Sequence, residues 1–124
     1  MTDTRFFDSL ETRTTAQRES EQFELLVGQL RHAKAKAPQY SELLAGIDPE
    51  AVTDRSTLAR LPVTRKSELS QSQLRDPPFG GYAATEDGDL LRVFASPGPV
   101  FEPQGRREDF WRFARALHAA GFRG

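Results

Sequence analysis

Apolar residues recur through the first third of the chain with the rhythm of a helix. Phe23, Leu26, Val27, Leu30, Ala33 and Ala37 follow i, i+3, i+4, i+7 spacing, while Arg18, Glu21, Arg31, Lys34 and Lys36 take the other sides, which sets one face against a core. Thr14-Thr15-Ala16-Gln17 has the form of a capping box and predicts a start at about Thr15. The lysines at the far end suit the negative pole of the helix dipole. Pro38 breaks this helix and suits the first position of another, so Pro38–Ala45 is expected as a short helix with Tyr40, Leu43 and Leu44 inward and Gly46 as terminator. Ile47–Val52 reads as a turn opening one helical turn, Ser56–Leu61 as a capped turn ended by Pro62, and Thr64 as the cap of a helix over Arg65–Gln73.

The rhythm changes at Leu90. Leu91, Val93, Phe94 and Ala95 form a short, partly β-branched run that predicts a buried strand over about 90–95. Ser96-Pro97-Gly98-Pro99 then interrupts any ladder, because proline has no amide to donate. Gln104-Gly105 is expected to lead almost directly into a helix with Phe110, Phe113, Ala114, Leu117 and Ala120 on its apolar side and Trp111 beside them. Gly121 stands where a left-handed residue closes a helix, with Phe122 placed to fold back on the last turn. Ahead of the first helix, Phe6, Phe7 and Leu10 predict a short arm that packs back on the body. The pattern as a whole is mostly α-helical with one or two short strands, divided into a helical lead-in over 1–89 and a strand–loop–helix unit over 90–124. Short helices punctuated by prolines wrap a larger body more readily than they enclose a core of their own.

Composition narrows the chemistry. The 124 residues carry 17 Lys plus Arg against 18 Asp plus Glu, a net charge of −1, so no basic field argues for nucleic acid. There is no cysteine, which removes disulfides, thiolate metal sites and a cysteine nucleophile. His32 and His118 are the two histidines, and with no second ligand near either in sequence they read as structural, so no metal site is expected. Arg106-Arg107 is neutralised by Glu108 and Asp109, and Phe110, Trp111 and Phe113 read as core, since a base-stacking platform needs a basic groove. The first residues lack the apolar centre of a signal peptide and no run approaches the ~20 apolar residues of a membrane span. A soluble, cytoplasmic protein without membrane contact is expected.

A strand, a tight loop and a helix is also the layout in which α/β proteins hold phosphates, through backbone amides and a helix N-terminus. Two readings of Ser96–Pro103 stand side by side. Pro97, Pro99 and Pro103 each delete a donor and Glu102 brings a negative charge, which favours a rigid turn over an anion cradle.

Leu58-Ala59-Arg60-Leu61-Pro62-Val63-Thr64-Arg65-Lys66-Ser67-Glu68-Leu69 resembles the LARLP-x-T-K-x-x-L segment of the phenylacetate–coenzyme A ligase family of adenylate-forming enzymes. Glu11-Thr12, Leu30-Arg31-His32-Ala33 with Pro38-Gln39-Tyr40, Gly46-Ile47-Asp48-Pro49 and Pro78-Phe79-Gly80 follow in the family's order and at similar spacing. The resemblance covers nearly the whole chain and identifies it as similar to the N-terminal part of such a ligase, an α/β enzyme several times longer. It implies ATP with Mg2+, a small carboxylic acid (often an aryl acetate), an acyl-adenylate intermediate and transfer of the acyl group to coenzyme A. It also implies that the rest of the ligase is the partner, while helical faces and a strand that need more sheet to cover them predict a self-associating copy of the chain as the alternative. The family's phosphate loop reads Ser-Ser-Gly-Thr-Thr-Gly-Lys-Pro, and Ser96, Gly98 and Pro103 match it; Ser96 and Gly98 are thus the candidate nucleotide-binding residues, in a degenerate loop where Glu102 replaces the lysine. No catalytic residue is assigned. Two functions follow: a segment of an acyl-activating ligase, catalytically incomplete alone, or a non-catalytic interaction or structural domain derived from one.

Overall fold

The computed structural model describes residues 5–123. Its helices are α1 (Thr15–Lys36), α2 (Pro38–Leu43), α3 (Arg55–Leu58), α4 (Lys66–Arg75) and α5 (Ala114–Ala119), with single 3-10 turns at Ser9–Thr12, Pro49–Ala51 and Asp87–Asp89. Strands β1 (Leu90–Ser96) and β2 (Val100–Gly105) pair antiparallel in one two-stranded sheet. The described residues are thus mostly helical, with one antiparallel hairpin.

Helix α1 starts where its cap demands. The Thr14 hydroxyl accepts from the Gln17 amide and the Gln17 side chain accepts from the Thr14 amide, which satisfies two orphan donors reciprocally. Leu30 is buried with Leu44 and Val52, and Leu26, Ala33, Tyr40, Ile47 and Leu61 pack around them. The stripe on α1 therefore meets α2 and the Pro49–Ala51 turn, while Leu25, off the stripe, is 74% exposed. Lys34 donates to the Ile47 carbonyl at 2.7 Å, and Arg31 pairs with Glu50.

Helix α2 stops at Leu43 and leaves Leu43 exposed; Leu44, in the turn that follows, is the residue that enters the core. Asp54, rather than Ser56, caps the next helix, so α3 begins at Arg55: its carboxylate accepts from the Thr57 amide at 2.7 Å, and the Thr57 hydroxyl accepts from the Asp54 amide at 3.1 Å. Thr64 does not cap α4 either. Glu68 reaches back to accept from the Arg65 amide at 3.4 Å, and the helix runs two residues further than the pattern implied, to Arg75. Beyond it the chain folds back tightly: Gly80, at φ +65°, lies against Ser72, and the Gly81 carbonyl accepts from the Gln39 amide at 3.0 Å. Tyr82 meets Tyr40 edge-on at 5.2 Å, so this loop ties α4 to α2.

The second part of the chain departs from expectation in three ways. Val100–Gly105 is a full strand, paired with β1 through Ser96↔Val100, Ala95↔Phe101, Phe94↔Glu102 and Val93↔Pro103, so the chain makes a hairpin where a loop leading directly into a helix was expected. A proline is tolerated there because a two-stranded sheet has an open side for its missing donor. Strand β1 is not buried: Leu91, Val93 and Phe94 are 46%, 52% and 42% exposed. The last helix is short, because Asp109 and Arg112 take positive φ angles of 46° and 56° and hold residues 106–113 in turns, with the Asp109 carboxylate accepting from the Phe113 and Ala114 amides. Its end matches the sequence pattern, with the Gly121 amide on the His118 carbonyl and the Phe122 amide on the Leu117 carbonyl, both at 3.0 Å. The Phe6–Leu10 arm does pack back: Asp8 accepts from Arg115 at 2.7 Å and Phe7 meets His118 edge-on at 5.7 Å. No helix of the described residues is long and apolar enough to cross a membrane.

Candidate functional site

Ser96 and Gly98 come together at the tip of the hairpin. Ser96 closes β1 opposite Val100, so Pro97-Gly98-Pro99 is the connecting turn, and the Ser96 hydroxyl donates to the Val100 carbonyl at 3.4 Å. Gly98 adopts φ +126°, which a side chain would strain, and the flanking prolines stiffen the turn on both sides. Val100, 2% exposed, anchors its far end.

What holds this turn is α4. Gln73 is buried and grips the backbone of Phe101 with both ends of its amide: Nε2 donates to the carbonyl at 2.8 Å and Oε1 accepts from the N–H at 2.8 Å. Ser70 donates to the Gly98 carbonyl at 3.4 Å. The Cε of Lys66 lies 4.0 Å from where a Cβ on Gly98 would stand. Lys66, Ser70 and Gln73 are i, i+4 and i+7 on one face of the helix, so a polar stripe on α4 faces the turn. That stripe is the signal the apolar pattern passed over.

Glu102 is exposed in β2, opposite Phe94, and so lies outside the turn proper. At the other end of the hairpin Trp111 donates to Gln104 at 3.2 Å and packs edge-on against Phe94 and Phe110 at 5.9 and 5.1 Å. The lack of a Cβ on Gly105 lets the Phe110 ring close over it. Of the two histidines, His32 is exposed on α1 and His118 rests against Phe7. Asp54 is the group whose carboxyl is held below the ordinary aspartate value, first by the Thr57 amide and then by the Thr57 hydroxyl; it serves the α3 cap.

The turn's own residues do not make a phosphate cradle. Two of the three residues between Ser96 and Val100 are prolines, the Ser96 hydroxyl is engaged on Val100, and the Phe101 amide is taken by Gln73. The cation beside the turn comes from α4.

No protein-family model and no curated protein matches the chain. Solved structures do. A 2-hydroxyisobutyryl-CoA ligase in its postadenylation state, in complex with 2-HIB-AMP, superposes with a TM-score of 0.86 at 28% identity, over 99% of this chain and 28% of that one. The chain is similar to a stretch of an adenylate-forming CoA ligase. The same ligase in an open conformation with 2-HIB-AMP and CoA matches at TM-score 0.86 and 28% identity, again over 99% of this chain and 28% of that one. In the thioesterification state the figures are 0.83 and 27%, over 99% and 28%. The chain thus spans just over a quarter of the length of the ligase structures it matches.

Proposed function

We propose that the chain is the N-terminal part of an acyl-activating, ATP-dependent carboxylate–CoA ligase and is catalytically incomplete alone. The observation that carries this reading is the match of 99% of the chain at a TM-score of 0.86 to a ligase holding an acyl-adenylate. Residues 1–89 act as the helical lead-in and 90–124 bring the turn of Ser96 and Gly98 to the nucleotide side of the site. In the completed enzyme ATP, Mg2+, coenzyme A and a small carboxylic acid are the reactants, the remainder of the ligase is the partner, and the setting is the cytoplasm. The motif register from Leu58 to Leu69 favours an aryl acetate of the phenylacetate type as the acid. ATP supplies the adenylyl group when bound; this chain's part is to place the turn through Gln73 and Ser70.

A second reading has one observation behind it. The prolines and the engaged Ser96 hydroxyl favour a non-catalytic interaction or structural domain that keeps the ligase shape. The isolated chain, incubated with ATP, Mg2+, phenylacetate and CoA, is expected to form no acyl-adenylate and no thioester. Product above background would overturn the incompleteness. Mixed with the matched ligase lacking its corresponding stretch, the chain is expected to restore adenylate formation; stable docking without it would decide for the second reading.

A further inference from the structure

We propose that the free edge of β1 is a docking site for a second copy of this chain, the two hairpins joining β1 to β1 about a two-fold axis into one continuous antiparallel sheet. The two edges of the hairpin are treated differently. On β2, the Phe101 N–H donates to Gln73 and its carbonyl accepts from Gln73, each at 2.8 Å, so its backbone groups point away from β1; Pro103, two residues on, has no N–H to offer. That edge is closed. Antiparallel alternation turns the backbone groups of the residues paired with these two, Ala95 and Val93, away from β2 in the same way. Among the described residues those outward groups meet no other element, and the strand carries no proline or lysine to guard them.

A row of outward N–H and carbonyl groups is satisfied by another strand, and the side chains make β1 complementary to itself. With Val93 on the axis, Arg92 of each copy stands opposite Phe94 of the other, and Glu102, the neighbour of Phe94 on β2, lies one strand further along the same row. Arg92 and Glu102 are exposed and make no ion pair among the described residues, so the pairing supplies each guanidinium with an aromatic face and a carboxylate, twice over. Shifted one pairing step toward Leu91, the register would set Arg92 against Arg92; shifted the other way, it would leave Arg92 opposite Ser96. The bulge between Leu90 and Arg92 and the proline after Ser96 bound the paired stretch. On the opposite face the same register joins Val93, Ala95 and Phe101 of both copies, all exposed, into one apolar strip.

Sedimentation equilibrium of the 124-residue chain together with amide hydrogen exchange tests it. A monomer–dimer equilibrium is expected, with exchange at Val93 and Ala95 slowing as the concentration rises and exchange at Phe94, whose amide already serves the hairpin ladder, far less affected. Ala95→Pro removes an outward donor without touching the bonds between β1 and β2, and should abolish the dimer. Arg92→Glu sets a carboxylate opposite Phe94 and near Glu102 of the second copy, and should weaken the dimer by on the order of tenfold. A parent that is monomeric at all concentrations, or a dimer without added protection at Val93 and Ala95, would overturn the proposal. So would a dimer of undiminished strength in Arg92→Glu, or in an Ala95→Pro chain that keeps its hairpin, because the contact would then lie on another surface.

Discussion

Two glycines show how differently one residue type is used. Gly28 lies inside α1, and a Cβ placed on it would meet nothing within 4 Å, so Gly28→Ala removes backbone freedom from the unfolded chain without a clash and should stabilise by about 0.5–1 kcal/mol. Gly80 is the opposite case. It has φ +65°, and a Cβ would stand 2.8 Å from the Ser72 backbone carbon and Cβ, so Gly80→Ala should destabilise by about 1–3 kcal/mol. Denaturant unfolding of both variants checks the signs; a neutral Gly80→Ala would contradict the tight return of the chain onto α4. Asp54 brings a pH dependence. Its folded-state value is lowered, chiefly by the Thr57 amide, so its contribution is complete above the ordinary aspartate range and is lost as the pH falls through the lowered value. Melting curves of Asp54→Asn across the acid range should lack that component, and an unchanged acid profile would show that the cap does not form.

At the scale of elements, legibility followed how local the cause was. The start of α1 could be read from Thr14 and Gln17 because both halves of the capping box lie within four residues, and the end of α5 from Gly121 for the same reason. Strand β2 was hidden by its composition: Pro103 argues against a ladder, and only pairing with Val93 on an open-sided hairpin makes it acceptable. The α5 start was hidden because Asp109 and Arg112 hold positive φ angles that no apolar spacing announces. Likewise Ser96 and Gly98 were visible in the candidate site as sequence neighbours, whereas Ser70 and Gln73 reach the turn from 28 residues away, and their polarity alone does not say which backbone they meet. Gln73→Ala is therefore expected to leave α4 intact and to release the Phe101 amide, at a cost of about 1–3 kcal/mol for the unsatisfied backbone groups. Hydrogen exchange at Phe101 should rise in step; unaltered protection there would contradict the role of Gln73 in holding the turn.

For the molecule as a whole, the balance of covered and uncovered surface is the informative feature. The buried cluster is small, around Leu30, Leu44 and Val52, while one face of the hairpin, with Val93, Ala95 and Phe101, is apolar and exposed. A face of that kind marks an interaction surface, and under the proposed function the remainder of the ligase is what would cover it. In isolation the chain is expected to self-associate in sedimentation runs, and Val93→Lys with Phe101→Lys should reduce that association; a parent that stays monomeric at all concentrations would contradict it. The central claim is that this chain is a working part of an adenylate-forming ligase. Grafting residues 1–124 in place of the matched stretch of the 2-hydroxyisobutyryl-CoA ligase and measuring acid-dependent ATP–pyrophosphate exchange tests it most directly: exchange above that of the ligase lacking the stretch is the predicted result, and a folded graft with none would contradict the account.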